Sequence, residues 1–494
     1  MSGAASRWPV AVDLVVVGGG IAGSSLASLA ARNGLSVLLV DRGDIGGGVS
    51  ANSLKVIHGG LRYLQHLDIR RMRESIAARS LLLRIAPDLV VPRAFAMPLT
   101  RFGTRSRPAL TLALALNEWI SADRNRDVRA DRQLPAARLI DRVDMAHLFP
   151  EVILPSGQRG GAVWYDAVAE DTERLTLAFA LDARRHGAFL ATHTNVTRLL
   201  TNATGCRGIA LVDPCTGEQG EVTARHVAWA AGAPSAGAEQ WPSVAAAAPA
   251  RWVRAVNLVI DRPWPGPVGL AVPVRRRDGG WRNLFFVPWR SGVMVGTWYD
   301  PATSGLARPA VAESEIEAWL EDVQGAFGGG TLTRSDVVTV HAGLLPASRS
   351  RPGEPSREVV LQSAGEHAWP SGFTLVQTVK YTTAPMVARR ALVRIAAALD
   401  APEPVAWWNE PLRDATRAAE PWTPASIRHA IENEEARNLE DIVFRRIGSG
   451  AFRSPARSEV EAIAAIAAPL FGWDAAATGR AVEACLRGSA ETGR

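Results

Sequence analysis

A compact ammonium occurs at only two places in this chain: of its 55 basic residues, Lys55 and Lys380 alone are lysines. Arginine serves wherever a surface needs positive charge, so lysines kept in an arginine-biased chain mark candidate sites for a point charge with three mobile donors. Each accompanies a tyrosine, Tyr63 in the first case and Tyr381 in the second. Around Lys55, the stretch 46–63 (GGGVSANSLKVIHGGLRY) gathers His58, Gly59, Gly60 and Arg62 with the small polar groups of Ser50, Asn52 and Ser53. Glycines and short polar side chains let a backbone wrap a phosphate or a planar ring and donate to it. The alternative for the same stretch is a solvated surface loop. A third set is Gly18, Gly20 and Gly23, which fit G-x-G-x-x-G, with Asp41 following 23 positions after the first. In that spacing the first glycine turns the chain and the second admits a pyrophosphate. The third lets helix and strand close up, and the acid takes the ribose hydroxyls.

These residues need elements to hold them. Val15 to Val17 form a β-branched run, an Ala/Leu-periodic helix ends at Gly34, and Val37 to Val40 form a second apolar strand. Strand, glycine turn, helix and terminal acid together predict a dinucleotide-binding βαβ start, against the plainer reading of a glycine turn in some other α/β protein. The 494 residues, 47% hydrophobic and 21% charged, suffice for two or three domains with large cores. Residues 1–10 lack the charged-then-apolar order of a secretory signal, and no stretch reaches the roughly 18 apolar residues of a spanning helix, so a cytoplasmic protein is expected. Cys206, Cys215 and Cys485 show no C-x-x-C spacing, so neither a disulfide framework nor a metal site is expected. The net charge of +6 reflects arginine bias, and no nucleic-acid partner is expected.

The stretch SANSLKVIHGGLRYLQHLDIRRMRESIAARSLLLRIAPDLVVP (50–92) resembles the signature of the FAD-dependent glycerol-3-phosphate dehydrogenase family, within the D-amino-acid-oxidase-like flavoproteins. The likeness continues through WYDAVAEDTERL (164–175), AWAAGAPS (228–235), VGTWYD (295–300), HAGLLP (341–346) and VKYTTA (379–384). It extends to IRHAIENEEARNLEDIVFRR (427–446) and LFGWD (470–474), which resemble that family's helical cap. The resemblance implies an α/β protein in which a Rossmann-like FAD-binding domain carries an antiparallel β-sheet substrate domain and a C-terminal helical cap. It implies non-covalent FAD held by Gly18, Gly20, Gly23, Asp41 and Arg42 at the adenosine and pyrophosphate. Ser50, Ser53, Lys55, His58 and Gly59 would lie along the flavin, with Val196 near the adenine, Gly232 near the pyrophosphate and Thr382 beside the ring. Arg62, Tyr63 and Lys380 match positions used around substrate and flavin, Lys380 to stabilise negative charge at the ring. The implied partners are a small-molecule substrate and an electron acceptor, quinone or oxygen. An amine or amino-acid oxidase on the same scaffold, or a non-catalytic flavin-binding, membrane-associated protein, stays open; oligomeric state is not indicated.

Three departures bear on substrate. The family's G-V-R-P reads Gly343-Leu344-Leu345-Pro346, paired glycines before the motif lysine read Thr378-Val379, and Ala384-Pro385 stands where an arginine often follows the threonines. An alkyl group at Leu345 removes a guanidinium suited to phosphate. If residues 337–345 are extended, His341 shares a face with Gly343 and Leu345, which makes it a candidate for proton handling, against the alternative of a core histidine.

The expected division is 1–250 for the first part of the FAD-binding domain, 251–346 for the substrate domain, 347–400 for the return segment and 401–494 for the helical domain. Helices are predicted over 171–186, 312–327 and 380–399, and strands over 208–212, 221–229, 252–260, 269–274, 284–288, 293–297 and 337–342. Residues 245–248 read as a connector. Within an apolar and basic insertion at 92–126, PALTLALALNEWI (108–120) is fringed by arginines. It predicts either a helix buried on the FAD domain or interfacial docking on an anionic membrane surface, peripheral at the inner face.

Overall fold

The run AVDLVVV forms β1 (Ala11–Val17), and its last four residues are all buried, as branched runs are in a sheet covered on both faces. The computed structural model describes residues 7–150, 159–233, 252–275, 280–302, 311–324, 332–351, 353–364, 369–417 and 421–491. Helix α1 (Ile21–Arg32) leads from β1 to β2 (Val37–Val40), which runs parallel to β1 with Leu14 opposite Val37. Every residue of α1 except Arg32 is buried, because its Ala, Ser and Gly side chains let neighbouring helices approach on all sides.

The chain then leaves this sheet. It forms β3 (Val56–Ile57), a 3-10 turn at Leu61–His66, α2 (Ile69–Ile85), β4 (Val90–Pro98), α3 (Arg107–Ile120), β5 (Arg138–Ile140), α4 (Arg142–Leu148) and β6 (Gly161–Ala169). Helix α5 (Thr172–Arg185), capped by the Asp171 side chain, brings it back to β7 (Phe189–Ala191), and β8 (Asn195–Asn202), β9 (Gly205–Val212) and β10 (Gln219–Trp229) follow. Next come β11 (Trp252–Ile260), β12 (Gly269–Arg275), β13 (Trp281–Trp289), β14 (Gly292–Pro301), α6 (Glu313–Gln324) and β15 (Val337–Pro346). A second return supplies β16 (Val360–Ser363), β17 (Phe373–Gln377) and α7 (Ala384–Ala398). The chain closes with α8 (Pro424–Asn433), a π-helical turn at Asp441–Arg446, α9 (Arg457–Phe471) and α10 (Ala475–Glu491).

Two sheets result. The first has the order β16-β17-β10-β1-β2-β7, with β8 and β9 continuing from β10 as a meander. One of its faces is covered by α1, α5 and α7, whose apolar sides merge in one core with Leu14, Leu39, Phe179 and Leu392. The second sheet has the order β15-β11-β14-β13-β12-β4-β6-β3, with β5 on β6, and its far face packs under α6 through Trp319 and Leu320. Sheet two therefore draws on two stretches of chain, joined where β4 runs parallel to β12 with Phe95 opposite Gly269. This corrects the expected division, which gave all of 1–250 to the cofactor domain: β3 to β6 belong to the other sheet, and 92–98 is a strand within it. The predicted strands at 252–260, 269–274, 284–288, 293–297 and 337–342 all lie within strands of sheet two. The helix predicted over 380–399 begins four residues later, at Ala384, because Pro385 favours the first turn of a helix. The connector at 245–248 lies outside the described residues.

Helix α3 buries only Leu110 and Leu114, a stripe one residue wide at i and i+4 spacing. Leu112, Leu116 and Trp119 are 63%, 39% and 78% exposed, so most of its apolar surface faces outward. Among the described residues no helix is long and apolar enough to cross a membrane. The C-terminal helices enclose a core of their own around Ile427, Val443, Val460 and Ile463.

Candidate functional site

The glycine turn has the backbone geometry that only glycine allows at two of its positions. Gly18 has φ +107°, and a Cβ there would lie 2.6 Å from the Ala231 Cα, so the turn between β1 and α1 closes against the end of β10 only with glycine. A Cβ at Gly23 would overlap the Gly18 carbonyl oxygen. At Gly20 the only atom of the described residues that an added Cβ meets is the Ser50 hydroxyl, at 3.2 Å. The N-terminus of α1 thus opens onto space beside Gly20, where first-turn amides have no intrahelical acceptor and the helix dipole favours an anion. Ser50 Oγ accepts from the Ile21 amide at 3.0 Å, which orients a hydroxyl at the same opening. These groups suit a pyrophosphate.

Asp41, expected to take ribose hydroxyls, accepts from the Gly19 amide at 2.6 Å and from the Gly43 amide at 2.8 Å, so in the structure it braces the glycine turn and holds an oriented carboxylate beside it. Arg42 follows it, exposed. Val196 lies two residues after Thr194, whose amide bonds the Asp41 carbonyl at 2.8 Å, which places it at the Asp41 end. Gly232, with φ +68°, begins the exit from β10 close to the glycine turn. Helix and strand ends from four separate stretches therefore converge beside the glycine turn, with groups suited to a dinucleotide's adenosine half. Among the described residues no cluster of His, Cys, Asp and Glu could hold a metal ion.

Lys380 and Tyr63, 317 positions apart, meet: the Lys380 ammonium donates to the Tyr63 hydroxyl and lies 4.3 Å from the centre of its ring. Tyr63 is held by Met72 and Ile76 of α2, and His58 meets its ring edge-on at 6.2 Å between centroids. Gly59 donates to Asp166 Oδ1 at 2.6 Å, and Asp166 is itself paired with the buried Arg79. Sequence reasoning missed this buried pair, which fixes the loop between Lys55 and Tyr63. Its only trace was the Trp164-Tyr165-Asp166 segment, read for likeness and not for a role. Thr382 is buried in the turn after Lys380, and the Tyr381 hydroxyl donates to the Thr172 carbonyl at 2.9 Å. Burial pushes the Tyr381 phenol well above its ordinary pKa, so it stays protonated and structural. The Arg62 side chain lies outside the described residues.

Lys55, expected along the flavin, directs its ammonium into the protein. It donates to the Ala51 carbonyl at 2.9 Å, Thr172 Oγ1 at 2.6 Å and Glu173 Oε2 at 2.8 Å, with both ends of the ion pair buried. Its backbone has φ +64°, and Ser53 Oγ accepts its amide at 3.2 Å. A non-glycine residue in the left-handed region persists where surrounding bonds over-determine it, as the buried ion pair does here. The pair ties the 46–63 loop to the start of α5.

Sheet two meets that loop through β11 and β15. Asn257 Nδ2 donates to the Asn52 carbonyl at 3.3 Å, and Thr297 Oγ1 donates to Asn257 Oδ1 at 2.8 Å. Gly343 lies against Val49, so the β15 face that carries residues 341, 343 and 345 looks toward the loop. His341, opposite Asn257 in the ladder, has no exposed surface, and its ring meets Trp289 edge-on at 5.7 Å. His341 is therefore enclosed among the side chains of sheet two, beside the buried Trp289. Leu345 stands opposite Val253, half-buried on the same face.

Residues 13–392 match the family described as FAD dependent oxidoreductase (DAO), and residues 390–478 match the C-terminal domain of alpha-glycerophosphate oxidase. Glycerol-3-phosphate dehydrogenase 2 of Mycobacterium tuberculosis is 30% identical over 384 residues, which are 77% of this chain and 62% of that protein. The mitochondrial glycerol-3-phosphate dehydrogenase of Homo sapiens is 30% identical over 349 residues, 68% of this chain and 46% of that one. The chain thus spans less than two thirds of the length of these curated relatives. The crystal structure of the Bacillus halodurans glycerol-3-phosphate dehydrogenase complexed with FAD superposes with a TM-score of 0.70 at 17% identity, covering 98% of this chain and 95% of that one. The Mycoplasma pneumoniae L-alpha-glycerophosphate oxidase, with FAD bound, gives 0.57 at 14% identity over 84% of this chain and all of that one. At these identities the two structures establish a shared fold.

Proposed function

The chain belongs to the FAD-dependent oxidoreductase family, and from that premise we propose that it oxidises a small hydroxylated, singly anionic or polar substrate at a CH–OH carbon. Bound FAD supplies the two-electron acceptor. The chain's own residues must hold the substrate and take the hydroxyl proton. The observation that carries this reading is the meeting of Lys380 with Tyr63, since an ammonium donating to a phenol oxygen lowers the cost of negative charge there. The pair suits passing the alcohol's proton and holding a developing anion. Gly18, Gly20, Gly23, Asp41 and Ser50 would hold the dinucleotide. Lys55 and His341 act as structural supports behind this surface.

Leu345 shapes the substrate class. A forked guanidinium at that position would grip a phosphate dianion, and the leucine leaves that contact unmade, which disfavours glycerol 3-phosphate relative to less charged alcohols. The exposed Leu112, Leu116 and Trp119 of α3, beside Arg101, Arg105 and Arg107, support docking on anionic lipid at the cytoplasmic face, which would bring the flavin near a quinone. The test is anaerobic bleaching of the purified flavoprotein against polyol phosphates, hydroxy acids and amines. Bleaching by a hydroxylated compound is expected. Bleaching by amines or amino acids alone, with peroxide formed in air, would replace this reading with an amine oxidase.

A further inference from the structure

Asp44 follows the ribose acid Asp41 by three positions and is buried. Its carboxylate takes a forked contact from Arg446, at 2.7 and 2.8 Å, and a further hydrogen bond from Arg445 Nε. Both arginines come from the π-helical turn Asp441–Arg446 of the C-terminal helical region. The same turn reaches the other side of the Asp41 segment. Asp441 accepts from Arg445 at 2.6 Å and meets His193 Nε2 at 2.9 Å. The His193 amide donates to the Gly43 carbonyl at 2.8 Å, and Arg437 donates to the Thr192 carbonyl at 3.1 Å. One buried network therefore grips the 41–44 turn from both flanks, and Asp41 passes the restraint to the glycine turn through the Gly19 amide.

Buried ion pairs are poor sources of net stability, because desolvation cancels most of the attraction, and their best-attested use is to fix register. A cap that needed only adhesion could pack through its apolar helices. This one instead places two arginines directly on Asp44 and reaches Gly43 through the Asp441–His193 pair, on the 41–44 turn that leads out of the cofactor's ribose site. We propose that Asp44, Arg445 and Arg446 are positioning residues for the cofactor: docking of the C-terminal helices sets the Asp41 turn, and FAD binding and docking strengthen one another. The inference rests on FAD occupying the Gly18 to Asp41 site. Linkage makes the coupling reciprocal, so FAD must tighten the C-terminal dock by the same factor that the dock tightens FAD.

Two measurements on the full chain test it. Hydrogen exchange of FAD-stripped and FAD-reconstituted protein should show amides in 437–447 slowed by FAD. Flavin titrations should show Asp44→Asn and Arg446→Gln weakening the FAD dissociation constant roughly ten-fold, a typical coupling size, with Arg446→Lys in between because it keeps the charge. Unchanged exchange at 437–447 overturns the coupling even if the variants fail to fold. A lowered melting temperature of the FAD-free variants with an unaltered FAD dissociation constant also overturns it, since the network is then adhesion only. An unmodified chain that binds no FAD overturns the cofactor assignment along with the coupling, a result distinct from normal FAD binding without a response at 437–447.

Discussion

Removing the Lys55 ammonium strands the Glu173 carboxylate in the protein interior, whereas Lys380 is only half-buried and its removal leaves behind the neutral phenol of Tyr63. Lys55→Met should therefore cost about 3–5 kcal/mol of stability, the penalty for breaking one side of a buried pair, and Lys55→Met with Glu173→Met should recover most of it. Denaturant unfolding measures both, and a Lys55→Met protein of undiminished stability would contradict the pairing. Lys380→Met should instead leave the unfolding midpoint nearly unchanged and slow flavin reduction by every substrate on the order of a hundred-fold, as loss of a preorganised charge does. At Leu345 the expectation is gain. Leu345→Arg should raise kcat/KM for glycerol 3-phosphate roughly ten-fold or more, as one regained charged contact allows. Efficient turnover of that substrate by the unmodified chain would refute selection at this position. Both lysines were legible as special from their scarcity alone, but their division of labour was not. Tyr63 and Glu173 lie 317 and 118 positions from the lysines they meet, and no local pattern encodes such distances. The glycine turn was legible because its strand, helix and terminal acid follow one another in sequence, whereas Ser50 beside Gly20 and the Ala230–Ala231 backbone over Gly18 come from outside that unit.

At the scale of elements, α3 decides between two readings of one apolar segment. A helix buried on the FAD domain would hide most of its leucines, yet Leu112, Leu116 and Trp119 face outward. The protein should therefore co-sediment with anionic vesicles, less so as salt screens the neighbouring arginines. Leu112→Glu with Trp119→Glu should abolish the binding while leaving flavin content unchanged, because neither side chain is part of the core. Equal partition onto neutral and anionic vesicles at every ionic strength would remove the electrostatic part of the argument. Periodicity showed the helix, since amphipathic spacing is local, but only the neighbours show which face is covered. The same limit explains the misplaced boundary. Nothing local in β4 announces that it pairs with β12, 174 positions downstream, with Phe95 opposite Gly269 and Ala96 opposite Leu270.

For the whole molecule, the contact between the C-terminal helices and the cofactor turn carries a titratable group. His193 faces Asp441, Asp44 and Arg445. Burial opposes its charge, but the hydrogen bond and attraction of Asp441, with Asp44 beyond, hold its pKa above the ordinary histidine value. Asp441 shows the converse: burial alone would raise it, and the His193 hydrogen bond with the Arg445 and Arg446 charges holds it well below the usual carboxylate range. A histidine with a raised folded pKa contributes its stability in full below the unfolded value of about 6.5 and loses it as pH climbs through the folded value. Asp441 contributes above its unfolded value near 3.9 and loses the contribution only in stronger acid. The grip on the 41–44 turn should thus hold from weakly acidic to neutral pH and slacken as pH rises past neutrality. Flavin release, followed by the fluorescence of freed FAD, should accelerate over that alkaline limb. His193 has φ +50°, so asparagine, which tolerates the left-handed region, is the substitution that removes the charge with least backbone strain. His193→Asn should release flavin faster at pH 6 and flatten the dependence above it, and an unchanged alkaline limb in that variant would assign the titration to another group.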